Sequence, residues 1–143
     1  LRVFLDANIL FLAGYSSTSS VHDLLALAAC GDCELLSSDY AFEEARRNLL
    51  VKAPPGALAR FEKATAIVIH VREAGAAVLE RAQAIALSDS ADIPILAAAF
   101  QADADALVTG DRRAFGAYFG QRIGLLKIML LRDAILELLN ERR

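Results

Sequence analysis

The chain has 143 residues, 56% of them hydrophobic, with no tryptophan and a formal net charge of −3. This length suits one domain, residues 1–143, with enough apolar content to bury a proper core. The acidic balance excludes a protein that coats nucleic acid by bulk positive charge. No uncharged apolar run approaches the roughly 20 residues of a membrane span, since Lys127 interrupts Gly124 to Leu131. Leu1 to Leu10 lack the basic start and long apolar body of a signal peptide. The expectation is a soluble, cytoplasmic protein with no membrane partner.

In chain order, Leu1 to Leu5 is apolar apart from Arg2 and predicts a buried strand ending at Asp6. Ser16 to Ser20 is a polar turn in which Ser19 or Ser20 can cap a helix over Val21 to Ala29. Glu34 to Leu36 predicts a second strand. Ser37, Ser38 and Asp39 offer caps for a helix with Phe42, Ala45 and Leu49 on its inner face. Ala53-Pro54-Pro55-Gly56 is the strongest break, and Ala57 to Ala64 reads as helix after it. Ala66 to Val71 is β-branched and predicts a strand. Ala76 to Leu87 is helical by composition. Ser88, Asp89, Ser90 and Asp92 form a polar start for a further helix, in whose first turn Pro94 is acceptable. Ala106 to Thr109 predicts a strand ended by Gly110-Asp111, Leu125 to Leu130 a last strand, and Asp133 to Leu139 a last helix. This alternation predicts a three-layer α/β/α fold with a mostly parallel sheet of about five strands.

In such sheets ligands bind beyond the carboxyl ends of the strands. Two strands end there in aspartate, at Asp6 and Asp111. Asp92 begins the helix that returns into the second of these strands, and Glu44 lies early in the helix after the second strand. Four carboxylates in one crevice repel, and a hard divalent cation is the common remedy. Each acid also has a plainer reading. Asp6 and Asp111 are turn formers or caps, Asp92 a complement to a helix dipole, and Glu43 and Glu44 an exposed pair beside Arg46 and Arg47. What those readings explain poorly is the convergence. Cys30-Gly31-Asp32-Cys33 has the spacing of a redox pair or half a zinc site, but no second Cys pair exists. Two small thiols at a helix end is the simpler account. His22 and His70 have no metal-ligand partner nearby in sequence. Tyr15 offers a face for a base, with packing as the plainer role.

The blocks in question are Val3-Phe4-Leu5-Asp6-Ala7-Asn8, Ser38 to Leu49 with Glu44, Asp92-Ile93-Pro94-Ile95-Leu96, and Asp105-Ala106-Leu107-Val108-Thr109-Gly110-Asp111. Their sequences, order and spacing resemble the PIN domain family, in particular its VapC-like group of toxins and ribonucleases. The resemblance implies a sheet of five parallel strands and a ribonuclease that uses Mg²⁺ or Mn²⁺. In many members it also implies the toxin of a toxin–antitoxin pair, an antitoxin partner and a homodimer, with Leu24–Leu27 or Ile135–Leu139 as candidate surfaces. Carried over by residue, Asp6, Glu44, Asp92 and Asp111 are the catalytic acids. Asp6, Asp92 and Asp111 are the metal ligands, and Asn8 and Thr109 the supporting polar groups. Glu44 is favoured over Glu43 because it precedes Ala-Arg-Arg-Asn-Leu, and Asp92 over Asp89 for its distance to the apolar helix. Asp105 lies at the opposite end of its strand and reads as structural. Arg46, Arg112 and Arg113 are candidate contacts to RNA phosphates, with a solubilising face as the alternative. The expected reaction is attack of a metal-activated water on phosphorus, leaving a 5′-phosphate and a 3′-hydroxyl. Two other classes compete: a PIN-like RNA- or protein-binding module of weak activity, and a phosphatase with an aspartate nucleophile. The latter usually carries a second Asp where this chain has Asn8.

Overall fold

The structure, a computed structural model, describes residues 1–85, 87 and 90–142. Strand β1 (Arg2–Leu5) is followed by α1 (Ala7–Tyr15), α2 (Val21–Ala29), β2 (Glu34–Ser38), α3 (Asp39–Lys52) and α4 (Ala57–Ala64). Next come β3 (Ile69–Val71), α5 (Ala76–Gln83), α6 (Ile93–Gln101), β4 (Ala106–Val108) and α7 (Arg112–Phe115). The chain closes with β5 (Arg122–Ile123), β6 (Leu126–Met129) and α8 (Leu131–Glu141). Short 3₁₀ turns occupy Thr65–Ile67, Ser90–Asp92 and Gly116–Tyr118.

The sheet order is β3-β2-β1-β4-β6-β5, parallel throughout except for the β5–β6 pair. β1 sits inside the sheet, and Val3, Phe4 and Leu5 have no exposed surface. A parallel strand covered on both faces gains from an unbroken apolar run, which is what these residues supply. The chain runs outward from β1 to β2 and β3 on one side, then crosses back to β4 and β6 on the other. The order therefore reverses between β1 and β4, and a crevice opens at the carboxyl ends of this pair.

Six strands stand where about five were expected. The sixth, β5, is a two-residue strand too short to show a period. It joins β6 through Gly124-Leu125, and Gly124 takes the positive φ of 64° that a tight hairpin needs at its first loop position. The predicted strand Ala66 to Val71 is shortened, because Thr65–Ile67 forms a 3₁₀ turn before β3. The predicted helix Ala76 to Leu87 ends at Gln83, and the caps proposed at Ser88 and Asp89 lie outside the described residues. Helices α1 and α7 were not foreseen. The sequence of α1, Ala-Asn-Ile-Leu-Phe-Leu-Ala-Gly-Tyr, is apolar nearly all round, so it carries no amphipathic period to read. Among the described residues, no helix is long and apolar enough to cross a membrane.

Helix α1 packs against α3 and α4 at very close range, and Gly14 makes this contact. A Cβ built there would lie 2.7 Å from Phe61 Cβ, 2.8 Å from the Ala57 carbonyl oxygen and 2.9 Å from Leu49 Cδ1. Arg60 Nη1 donates to the Gly14 carbonyl at 2.7 Å, fixing the same junction. Gly14→Ala should destabilise the fold by about 2 kcal/mol, because backbone as well as side chain must yield and the helix propensity gained is smaller. Urea denaturation checks this, and an unchanged midpoint would show that the junction has slack.

Candidate active site

The site begins with a buried carboxylate. Asp6 ends β1, is 3% exposed, and has both oxygens engaged. The Ala7 N–H donates to Asp6 Oδ1 at 2.7 Å, which makes Asp6 the N-cap of α1. Thr109 Oγ1 donates to Asp6 Oδ2 at 2.7 Å across the β1–β4 junction. The same Thr109 oxygen accepts from the Asp111 N–H at 3.0 Å. Asn8 Oδ1 accepts from the Gly110 N–H at 3.2 Å. Asn8 and Thr109, expected as supporting polar groups, thus bind the ends of the two strands together.

The other acids arrive from separate elements. Ser38 Oγ accepts from the Ala41 N–H and caps α3, while Ser37 Oγ donates to the Leu5 carbonyl at 2.7 Å. These bonds fix α3 against the end of β1, and Glu44 lies one turn into the helix. Tyr40 Oη donates to the Ala91 carbonyl at 3.1 Å, linking the start of α3 to the segment that carries Asp92. Asp92 is the N-cap residue of α6, with Pro94 in the first turn. Asp111 caps α7, and its Oδ1 accepts from the Arg113 and Ala114 N–H groups. The plainer capping readings of Asp6 and Asp111 therefore hold alongside their place in the site.

A cleft of about 200 Å³ is lined by Asp6, Ala7, Asn8, Phe11, Glu44, Asn48, Lys52, Asp92 and Asp111. All four acids named from sequence are in this lining, whereas Glu43 is exposed outside it and Asp89 lies beyond the described residues. The three arginines are not in the lining. Arg46 bonds Glu62 at 2.6 Å and lies over the Phe42 and Phe61 rings, and Arg112 lies over Phe119. Lys52 is the cation that does line the cleft. Sequence reading missed Asn48 and Lys52, although both follow Glu44 at helical i+4 and i+8 spacing. Phe11 was missed because α1 was. Asp105 is structural as expected, since its Oδ2 accepts from the Arg2 N–H at 2.8 Å. Cys30 is exposed and Cys33 buried, both as free thiols, and burial raises the Cys33 pKa.

Burial pushes the Asp6 pKa from 3.8 to about 6. The Thr109 and Ala7 hydrogen bonds oppose that shift, and the nearby charges of Glu44 and Asp111 add to it. The donor chemistry suits a hard divalent cation, which Mg²⁺ exemplifies by taking one or two carboxylates and filling its shell with water and phosphate oxygens. Among the described residues no three acidic, histidine or cysteine side chains stand close enough to share one ion. The acids line a common cleft without meeting at one point, so one or two of them with water fit the group.

Fold and site together define a doubly wound α/β protein with an acidic cleft at the reversal point of its sheet. The PIN domain family model matches residues 2–113, and the chain belongs to that family. The fold is similar to VapBC2 from Rickettsia felis, solved bound to a DNA fragment from their promoter. The match has a TM-score of 0.67 at 16% identity and covers 90% of this chain and 97% of that one. It is also similar to FitAcB from Neisseria gonorrhoeae, with a TM-score of 0.55 at 16% identity, covering 91% and 98%. A structure of FitAB bound to an IR36 DNA fragment matches with a TM-score of 0.55 at 16% identity, covering 90% and 94%. No curated protein matches the sequence.

The raised Asp6 pKa carries a sign. Between about pH 4 and pH 6 the folded chain holds a proton that the unfolded chain has released, so stability falls as pH rises through that window. At pH 7 the buried charge costs about 3 kcal/mol. Asp6→Asn should therefore raise the melting temperature by several degrees at pH 7.5, with the gain disappearing below about pH 4. Melts across pH test this; a gain that does not depend on pH would reject the assigned origin.

Proposed function

We propose that this chain is a divalent-metal-dependent endoribonuclease, hydrolysing RNA phosphodiester bonds with Mg²⁺ or Mn²⁺, and that it is the toxin of a toxin–antitoxin pair. The observation that carries the reading is the single small cleft onto which Asp6, Glu44, Asp92 and Asp111 open from four separate segments. The Asp6 carboxylate in its lining, whose pKa is raised chiefly by burial, adds support. Membership of the PIN domain family supports a nuclease, and likeness to VapBC2 and FitAB supports an antitoxin partner.

Asp6, Asp92 and Asp111 would hold one or two ions, each ion taking one or two of these carboxylates and filling its shell with water. When bound, such an ion neutralises phosphate charge and acidifies water. Asp6 is held by Thr109 and the Ala7 N–H, so its oxygens need little reorganisation. Glu44 is half-buried on a helix rather than a loop, and takes the proton of the water that attacks phosphorus in line. The products are a 5′-phosphate and a 3′-hydroxyl. An aspartyl-phosphate route is disfavoured because both Asp6 oxygens already accept hydrogen bonds in a buried setting. A homodimer would use the groove between α2 and α8, where Leu27, Ile135 and Leu139 line the surface.

Wild type should cleave single-stranded RNA with Mg²⁺ or Mn²⁺ and stop with chelator, and Asp6→Asn should lower the rate by at least about 10²-fold. Gel analysis of end-labelled RNA decides it; equal cleavage by both proteins rejects the catalytic assignment and leaves a binding module. Independently of activity, millimolar Mg²⁺ or Mn²⁺ should raise the melting temperature of wild type at pH 7.5 and leave Asp6→Asn nearly unmoved.

A further inference from the structure

We propose that Lys52, Phe11 and Tyr15 form a subsite for an unpaired nucleotide next to the scissile phosphate. The inference rests on the ribonuclease reading and adds where the flanking strand goes. Phe11 lines the acid cleft, and the Tyr15 ring stacks on it with centroids 5.0 Å apart and planes 25° apart. Tyr15 is 47% exposed, so the stacked pair reaches from the cleft lining at Phe11 to the surface. Across from α1, the packed helix α3 presents Asn48 and Lys52 to the same cleft.

The two walls answer different parts of one ligand. Acids with a divalent ion serve one phosphate, but they repel the next phosphate along the strand. Lys52 supplies the opposite charge there, in a cleft whose other charged residues are acidic. A base attached to that phosphate finds the exposed Tyr15 face, and base–aromatic stacking tolerates any sequence. A base within a duplex already has neighbours on both faces and cannot reach the wall. The plainer roles are complementing the α3 dipole for Lys52 and packing on Phe11 for Tyr15. Neither gives a reason for the cleft's cation to share it with an aromatic pair that reaches the surface.

The test uses the full chain carrying Asp6→Asn to prevent cleavage. The probe is a fluorescein-labelled oligoribonucleotide of about ten nucleotides, single-stranded or paired to its complement, with binding read by anisotropy over a salt series. Tyr15→Ala should weaken single-strand binding about tenfold without changing duplex binding, and Tyr15→Phe should restore it. Lys52→Gln should weaken binding and reduce the salt slope by about 0.7, whereas Lys52→Arg keeps it. An oligonucleotide of abasic residues should bind the parent about as weakly as RNA binds Tyr15→Ala, a measurement that requires no variant to fold. Binding that is unchanged in Tyr15→Ala and Lys52→Gln, equal losses on duplex, or no effect of removing the bases would each overturn the subsite. If the chain with Asp6 intact cuts this RNA while those variants bind as the parent does, the subsite alone fails. If it neither binds nor cuts, the ribonuclease reading fails and takes the subsite with it.

Discussion

The hydrogen bond from Thr109 Oγ1 to the buried Asp6 carboxylate is the contact on which the site depends. It joins the ends of two parallel strands where the sheet order reverses. It also partly offsets the desolvation of a carboxylate with almost no exposed surface. Because Thr109 also accepts from the Asp111 N–H, one hydroxyl sets the spacing of two acids. Asn8 repeats the tie through the Gly110 N–H. Other acids reach the cleft only because helices start at this same edge, with α3 capped by Ser38 and α6 opening at Asp92.

Such a site is built against stability. A charged Asp6 weakens the fold above pH 6, and the surrounding acids add repulsion. Stabilisation comes from elsewhere: the fully buried β1 run, the α6 segment Ile95 to Ala99, and the tight α1–α4 junction at Gly14. Burial of this kind is non-directional, while the acid edge is directional and strained by like charges.

Much of this was legible from sequence, and the limits have physical causes. Val3 to Leu5 followed by Asp6 could be read because an apolar strand that stops at a carboxylate is local information. The four acids could be brought to one edge on the assumption of a parallel sheet, because strands that run the same way end at the same side and the helices that follow them start there. Arg46 could not be placed that way. Glu43 and Glu44 lie three and two residues before it, but its partner is Glu62 on the next helix, a tertiary choice with no periodic signature. Helix α1 lacked a polar face, so the ordinary amphipathic signal was absent and Phe11 and Tyr15 lost their context. β5 was too short to be seen without its hairpin partner β6.

The Asp6–Thr109 pair spans 103 positions of the chain. Closing so long a loop precedes any reward from the contact. A growing polypeptide that has emerged only as far as α6 has Asp6, Glu44 and Asp92 in hand but neither Thr109 nor Asp111. The cleft therefore cannot assemble until synthesis has passed β4. Until β4 appears, the side chain of Asp6 lacks the hydroxyl that holds its second oxygen.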